Sequence, residues 1–186
     1  MSSSFKKQLI NYLSNRKFKS KSGFTLVELI VVVVIIGILS AIAIPSFQSA
    51  SDKAKQKEAS TLLASYLKAA QAFYTEYGQL AYRANEIGEY VTVSACRYNN
   101  PKQCKENTNS VINRSTWGGT SWYSTTGNYR IQLTRSGSTR VNMLAYPYAA
   151  AGLGVVGCFN TQTGTSRLQE MTANQKGTRY VRPISC

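Results

Sequence analysis

The residues with the most chemical potential stand together as Gly23-Phe24-Thr25-Leu26-Val27-Glu28. Glu28 is the one charge between Phe24 and Phe47, a stretch without Lys or Arg. A carboxylate in a membrane-spanning helix costs about 2.5 to 3.5 kcal/mol near the centre. Glu28 lies one turn inside the run, where the penalty is smaller. Two readings compete for it: an acid that reaches the interface, or an acid that waits for a cation. The sequence offers a cation. A cut between Gly23 and Phe24 would start the apolar helix with a new terminal ammonium, and Glu28 stands four residues beyond it.

The element that must position this acid is the apolar run itself. Residues 24–47 as a helix reach about 36 Å at ~1.5 Å per residue. A bilayer core is about 30 Å thick, so one crossing is expected. Gly37 and Pro45 are the weak points, and proline removes a helical hydrogen bond, so a bend is expected near residues 41–45. Before the run lie six basic residues (Lys6, Lys7, Arg16, Lys17, Lys19, Lys21) and no acid. Positive charge beside a first spanning helix holds that end in the cytoplasm and sends the rest of the chain outward. A secretory signal is the rival reading, with Ala41-Ile42-Ala43 as its cleavage pattern and Ile44 as the mature start. The run is longer than a usual signal core, and Glu28 would interrupt it.

Gly23-Phe24-Thr25-Leu26-Val27-Glu28, after a basic leader and before an apolar run, resembles the processing site of type IV pilins and related pseudopilins. The close match covers roughly residues 19–60; the rest agrees only in layout. The resemblance implies cleavage after Gly23 by a prepilin peptidase, N-methylation of Phe24, and a role for Glu28 in docking onto a neighbour's N-terminus. A leader of 23 residues is longer than the shortest in that family.

Downstream, the apolar positions Ala50, Ala54, Ala59, Leu62, Leu63, Tyr66, Ala70, Phe73, Tyr74 and Tyr77 recur at three- and four-residue steps, and Gly78 is a plausible stop. A head is expected to pack on this helix from about Leu62. After Gly78, alternation marks Tyr90–Cys96 as a strand. Tyr129–Thr134 and Val141–Ala145 form a hairpin around Ser136-Gly137-Ser138. Leu153–Phe159 reads as a further strand and Tyr180–Ile184 as a short last one. Residues 101–128 read as an irregular connector. The expected fold is α+β: a cleaved leader at 1–23, a transmembrane and assembly helix at 24–47, its amphipathic continuation at 48–78, and an antiparallel β head at 79–186.

Cys96, Cys104, Cys158 and Cys186 all fall on the outer, oxidising side, where disulfides are favoured. Three pairings are open; Cys96–Cys104 and Cys158–Cys186 are preferred, the second being similar to the C-terminal disulfide loop of many pilins. A zinc site is the alternative, but no Cys-x-x-Cys pair is present. The chain has no histidine, the commonest general base. Gly152, Gly154 and Gly157 match a dinucleotide motif in spelling alone, inside an apolar strand where close packing explains them better. No catalytic constellation, cofactor or metal is expected.

Of 22 basic and 8 acidic residues, 16 and 8 remain after residue 23, a balance of +8. Arg130, Arg135 and Arg140 around the hairpin form a candidate patch for DNA or other polyanionic surfaces; a solvated face is the plain reading. The sequence therefore points to a structural pilus subunit. It would sit in the inner membrane with its N-terminus cytoplasmic, then in an extracellular fibre. Its partners would be prepilin peptidase, other pilin subunits and an inner-membrane assembly platform. A pseudopilin of a type II secretion system and a minor pilin acting as a DNA or surface receptor are the alternatives.

Overall fold

A computed structural model describes residues 23–107 and 109–186. The leader expected at residues 1–22 lies outside the described residues. The chain divides between Pro45 and Ser46 into two units. Helix α1, Leu26–Tyr77, runs through Gly37 and Pro45. Up to Ala50 its residues are exposed, apart from the half-buried Ser40. Pro45 carries no N–H, so the carbonyl of Ala41 loses its usual helical donor.

In the second unit α1 becomes the spine of a core. Ala59, Leu63, Tyr66, Leu67, Ala70 and Phe73 are buried at three- and four-residue steps, which puts them on one helical face. Gly78 ends the helix at φ 66°, its N–H donating to the Tyr74 carbonyl at 2.8 Å. Glycine adopts that left-handed conformation without the penalty a Cβ would bring.

The elements that follow are α2 (Ala84–Gly88), β1 (Ser94–Cys96), α3 (Pro101–Glu106), β2 (Val111–Asn113) and β3 (Ser121–Tyr123). Then come β4 (Tyr129–Ser136), β5 (Arg140–Pro147), β6 (Val155–Asn160) and β7 (Ser166–Glu170). They form one seven-stranded sheet in the order β2-β1-β3-β4-β5-β6-β7. All pairings are antiparallel. The hairpin expected from alternation is β4–β5, with Tyr129 opposite Pro147 and Ser136 opposite Arg140.

One face of the sheet packs on α1: Ile131, Leu133, Val141, Met143, Ala145, Val155 and Phe159 join the helix residues in a single cluster. On β6, Gly157 leaves room for Leu67; a Cβ there would come within 2.8 Å of Leu67 Cδ1. A smaller cluster of Leu144, Val156, Met171 and Val181 uses the alternate side chains of β5 and β6. The C-terminal segment covers it. Disulfide Cys158–Cys186 holds that segment to β6, and Cys96–Cys104 joins β1 to α3. Asn160 Nδ2 also donates to the Cys186 carbonyl, at 2.9 Å.

Several expectations change. The connector expected at residues 101–128 holds α3, β2 and β3, and the strand expected at Tyr90–Cys96 shortens to Ser94–Cys96. The strand Tyr180–Ile184 is absent; Thr178–Tyr180 is a 3₁₀ turn and the chain then runs on without strand pairing. Strand β7 was invisible because Ser-Arg-Leu-Gln-Glu is polar; it is an edge strand whose backbone bonds to β6 do the selecting. The head also begins earlier than Leu62. Buried Gln56 donates from Nε2 to the carbonyls of Gly154 (3.0 Å) and Met171 (2.8 Å). Glu58 accepts from Thr126 Oγ1 (2.6 Å) and Asn128 Nδ2 (3.2 Å). Lys57 and Ser60 both meet Glu170 Oε1, at 2.8 and 2.6 Å. An apolar periodicity search cannot see anchors that are polar.

The hydrogen bond from Lys57, and then that from Ser60, holds the Glu170 carboxyl below its ordinary value. A lowered carboxyl stabilises the fold above the unfolded pKa, and the contribution is lost as pH falls through the folded one. We expect Glu170→Gln to melt below wild type at neutral pH. Thermal melts across an acid series should show the two curves converging below the ordinary carboxylate range.

Candidate functional site

The amino-terminal turn of α1 is built from the residues that could do chemistry. Gly23 and Phe24 precede the helix; Phe24 is 83% exposed, and no atom within 4 Å would meet a Cβ built on Gly23. Among the described residues, none packs over Gly23. Thr25 comes next and caps the helix. Its Oγ1 accepts from the Glu28 N–H at 3.2 Å. Glu28 answers with one oxygen: Oε2 accepts from the Thr25 N–H at 2.8 Å and from Thr25 Oγ1 at 2.7 Å.

This reciprocal pair is a capping box, Thr-x-x-Glu, which satisfies N–H groups that the first turn leaves without helical partners. A negative group here also meets the positive end of the helix dipole. Three consequences follow for Glu28. Its rotamer is held by a neighbour on its own chain. Oε2 takes both bonds, while Oε1 takes part in neither. The carboxylate is fixed in the first turn of the helix, at the start of the apolar run. Thr25 was not among the residues singled out by sequence. The signal was present, a Thr three residues before a Glu at the start of an apolar run.

The other expected positions are spread out. Gly37 and Pro45 lie within α1, where nothing in the described residues contacts a Cβ built on Gly37. The three arginines do not form one patch. Arg130 is on β4 with its guanidinium over the Tyr146 ring, 5.4 Å from the centroid. Arg135, at the other end of β4, stacks over Tyr82 at 4.7 Å and lines a different cavity. Arg140 is half-buried at the start of β5, opposite Ser136, while Arg135 lies opposite Val141. A strand rises about 3.4 Å per residue, so Arg130 and Arg135 are about 17 Å apart along the ladder. No cluster of His, Cys, Asp and Glu fit for a metal exists among the described residues.

Comparison with known proteins bears on this first turn. Residues 18–44 match the family described as "Prokaryotic N-terminal methylation motif". Over 66 residues the chain is 50% identical to the type IV major pilin protein PilA of Myxococcus xanthus, covering 36% of this chain and 30% of that protein. It is 34% identical over 92 residues to the fimbrial protein EcpC of Eikenella corrodens, covering 50% and 60%. It is 37% identical over 59 residues to the type IV major pilin protein PilE1 of Neisseria gonorrhoeae, covering 32% and 36%. The chain thus matches these relatives over 30% to 60% of their length. No solved structure matches it.

Thr25→Val keeps the side-chain volume and removes the cap. Loss of an N-cap corresponds to a roughly 2- to 30-fold change in helix opening. Hydrogen exchange of the 26–29 amides in detergent-held protein should speed up within that range while the head amides stay as they are.

Proposed function

We propose that this chain is the structural subunit of a type IV pilus, made as a membrane-held precursor, trimmed at its N-terminus and polymerised into a surface fibre. The observation that carries the reading is the first turn of α1. The Gly23–Phe24 bond stands just before the capped Glu28, within a segment that matches the methylation motif. The relatives named as type IV major pilins and fimbrial proteins support the same reading. The role is structural rather than catalytic.

The steps follow from the chemistry. The basic leader stays in the cytoplasm, α1 crosses the inner membrane through residues 24–47, and the head folds outside, where its disulfides form. A prepilin peptidase hydrolyses the Gly23–Phe24 amide and frees the Phe24 amine, which is then methylated. At neutral pH that amine is a cation. A platform in the membrane presents the trimmed chain to the growing end. Transfer from lipid to a bundle of like helices changes the apolar surroundings little, so register must come from packing and polar contacts. Glu28 supplies one: its Oε1 receives the Phe24 ammonium of a neighbouring subunit while Thr25 holds Oε2. In a dry core an unpaired carboxylate is strongly penalised, so misregistered subunits are rejected. Gly37 and Pro45 weaken the helix where it must bend or extend during packing.

Mass spectrometry of sheared surface filaments should find a chain beginning at N-methylated Phe24, with residues 1–23 gone. A chain that keeps the leader, or starts at Ile44, contradicts the reading. Glu28→Ala should be inserted and trimmed as wild type yet enter filaments at least about tenfold less, as expected when one partner of a buried charge pair is lost. Immunoblots of membrane and filament fractions measure both.

A further inference from the structure

The head has two ends along α1, one with two arginines outside any ion pair and one with two such glutamates among the described residues. At the end where α1 enters the head, a cleft of about 450 Å³ opens on the sheet. Tyr123, Arg130 and Tyr146 cross it as neighbours on β3, β4 and β5. Tyr148 and Arg179 complete its walls. Tyr148 and Pro147 also line a second cavity with Asp52 and Lys55, which ties the cleft to the first head turns of α1. Neither Arg130 nor Arg179 makes an ion pair among the described residues. Arg130 stacks on Tyr146 and donates to Gln132 Oε1 at 3.1 Å. Arg179 stacks on Tyr180 and donates to its hydroxyl at 3.0 Å. No acid lines the cleft. Asp52, the nearest acid named, is paired with Lys176 at 2.9 Å. Two guanidiniums held on tyrosine faces await an anionic group with aromatic surface.

The other end supplies such a group. Glu76 and Tyr77 end α1, and Glu89 and Tyr90 follow α2. The Tyr90 hydroxyl donates to Glu76, and the flanking carboxylates push both the Tyr77 and the Tyr90 phenols up, mainly through hydrogen bonds from Tyr77 to Glu89 and from Tyr90 to Glu76. Phe73 backs both rings, with centroids 4.6 Å from Tyr77 and 6.5 Å from Tyr90. Tyr77 is 50% and Tyr90 37% exposed. Of the other head acids, Asp52 and Glu170 are in ion pairs, Glu58 is held by Thr126 and Asn128, and Glu86 caps α2. Glu76 and Glu89 are bonded to tyrosine hydroxyls, and neither has a cationic partner among the described residues. Arg83 and Arg135 belong to this end too, but both lie over Tyr82, and neither pairs with these acids. Two like carboxylates in a chain of balance +8, with no cation paired to them among the described residues, mark a surface that gains from an outside one.

We propose that the Arg130–Arg179 cleft of one subunit receives the Glu76–Glu89 corner of a second copy of this chain. Asp52 and Glu76 are separated by about 36 Å of helix at ~1.5 Å per residue, so the two surfaces lie at opposite ends of the head. A contact between unlike surfaces on identical copies is heterologous. It leaves each copy with one surface free and so continues into an open filament instead of closing into a pair. Guanidinium to carboxylate, flanked by tyrosine rings, also favours one partner direction and rejects the reverse stacking of like charges.

This contact rests on the reading of the chain as a fibre subunit, and the test separates the two. The full chain is expressed with its assembly machinery, carrying photoreactive p-benzoyl-phenylalanine at Tyr148. Filaments are sheared, irradiated and digested. Crosslinks from position 148 to residues 73–90 of another copy are the expected result. In parallel, Arg130→Glu and Glu89→Arg should each lower filament yield about tenfold, and the double exchange should bring it back to within about twofold of wild type. The membrane pool of trimmed, disulfide-bonded subunit is measured in each strain, and Arg179→Glu replaces Arg130→Glu should the latter not accumulate. Absence of filaments from wild type would overturn the pilus reading itself. Wild-type filaments with crosslinks elsewhere, with crosslinks only to added DNA, or with full yield in both single variants would overturn this contact and leave that reading standing.

Discussion

An apolar helical surface that the described residues leave uncovered governs everything else about this protein. From Leu26 to Phe47 nearly every large side chain is exposed. Water cannot be the resting place of such a surface, because each buried apolar Å² is worth about 25 cal/mol. Two environments serve, lipid and a bundle of like helices. A helix alone satisfies its backbone groups in both. The same segment can therefore pass between the two with little change in what touches it.

Indifference between two apolar environments is also a weakness, since it carries no information about register. Polar groups have to supply it. The capping box gives Glu28 two bonds from Thr25 at one oxygen and leaves the other without them. A fully satisfied carboxylate would have no reason to seek a neighbour, and a wholly bare one would resist insertion. The half-satisfied state lies between these, and one threonine sets it.

The head follows a different logic. Its sheet is fastened to α1 by an apolar face from Ala59 to Phe73 and by a polar collar of Asp52, Gln56, Lys57, Glu58 and Ser60. Gln56 gives the Met171 carbonyl a donor and adds a second to the Gly154 carbonyl, which also accepts from the Met171 N–H; an unmet polar group at a buried position is costly. With the core thus closed, its remaining charges face outward. Arg130 and Arg179 line a tyrosine-walled cleft, and Glu76 and Glu89, each bonded to a tyrosine hydroxyl, stand at the far end.

The apolar run, the acid within it, the Thr-x-x-Glu start, the stripe from Ala59 to Phe73 and the β4–β5 hairpin were all legible in the one-dimensional chain. Each is local, with neighbours in space that are also neighbours in sequence at a period of 3.6 or 2. What only the tertiary structure decided is non-local. Gln56 meets Gly154, Lys57 meets Glu170, polar β7 finds its place beside β6, and Val181 is buried without being a strand. Arg130 and Arg135, five residues apart, go to different cavities because a strand extends and alternates where a list of residues only counts. Local periodicity is written in the order of residues; the pairing of distant polar groups arises only once the sheet has closed on the helix.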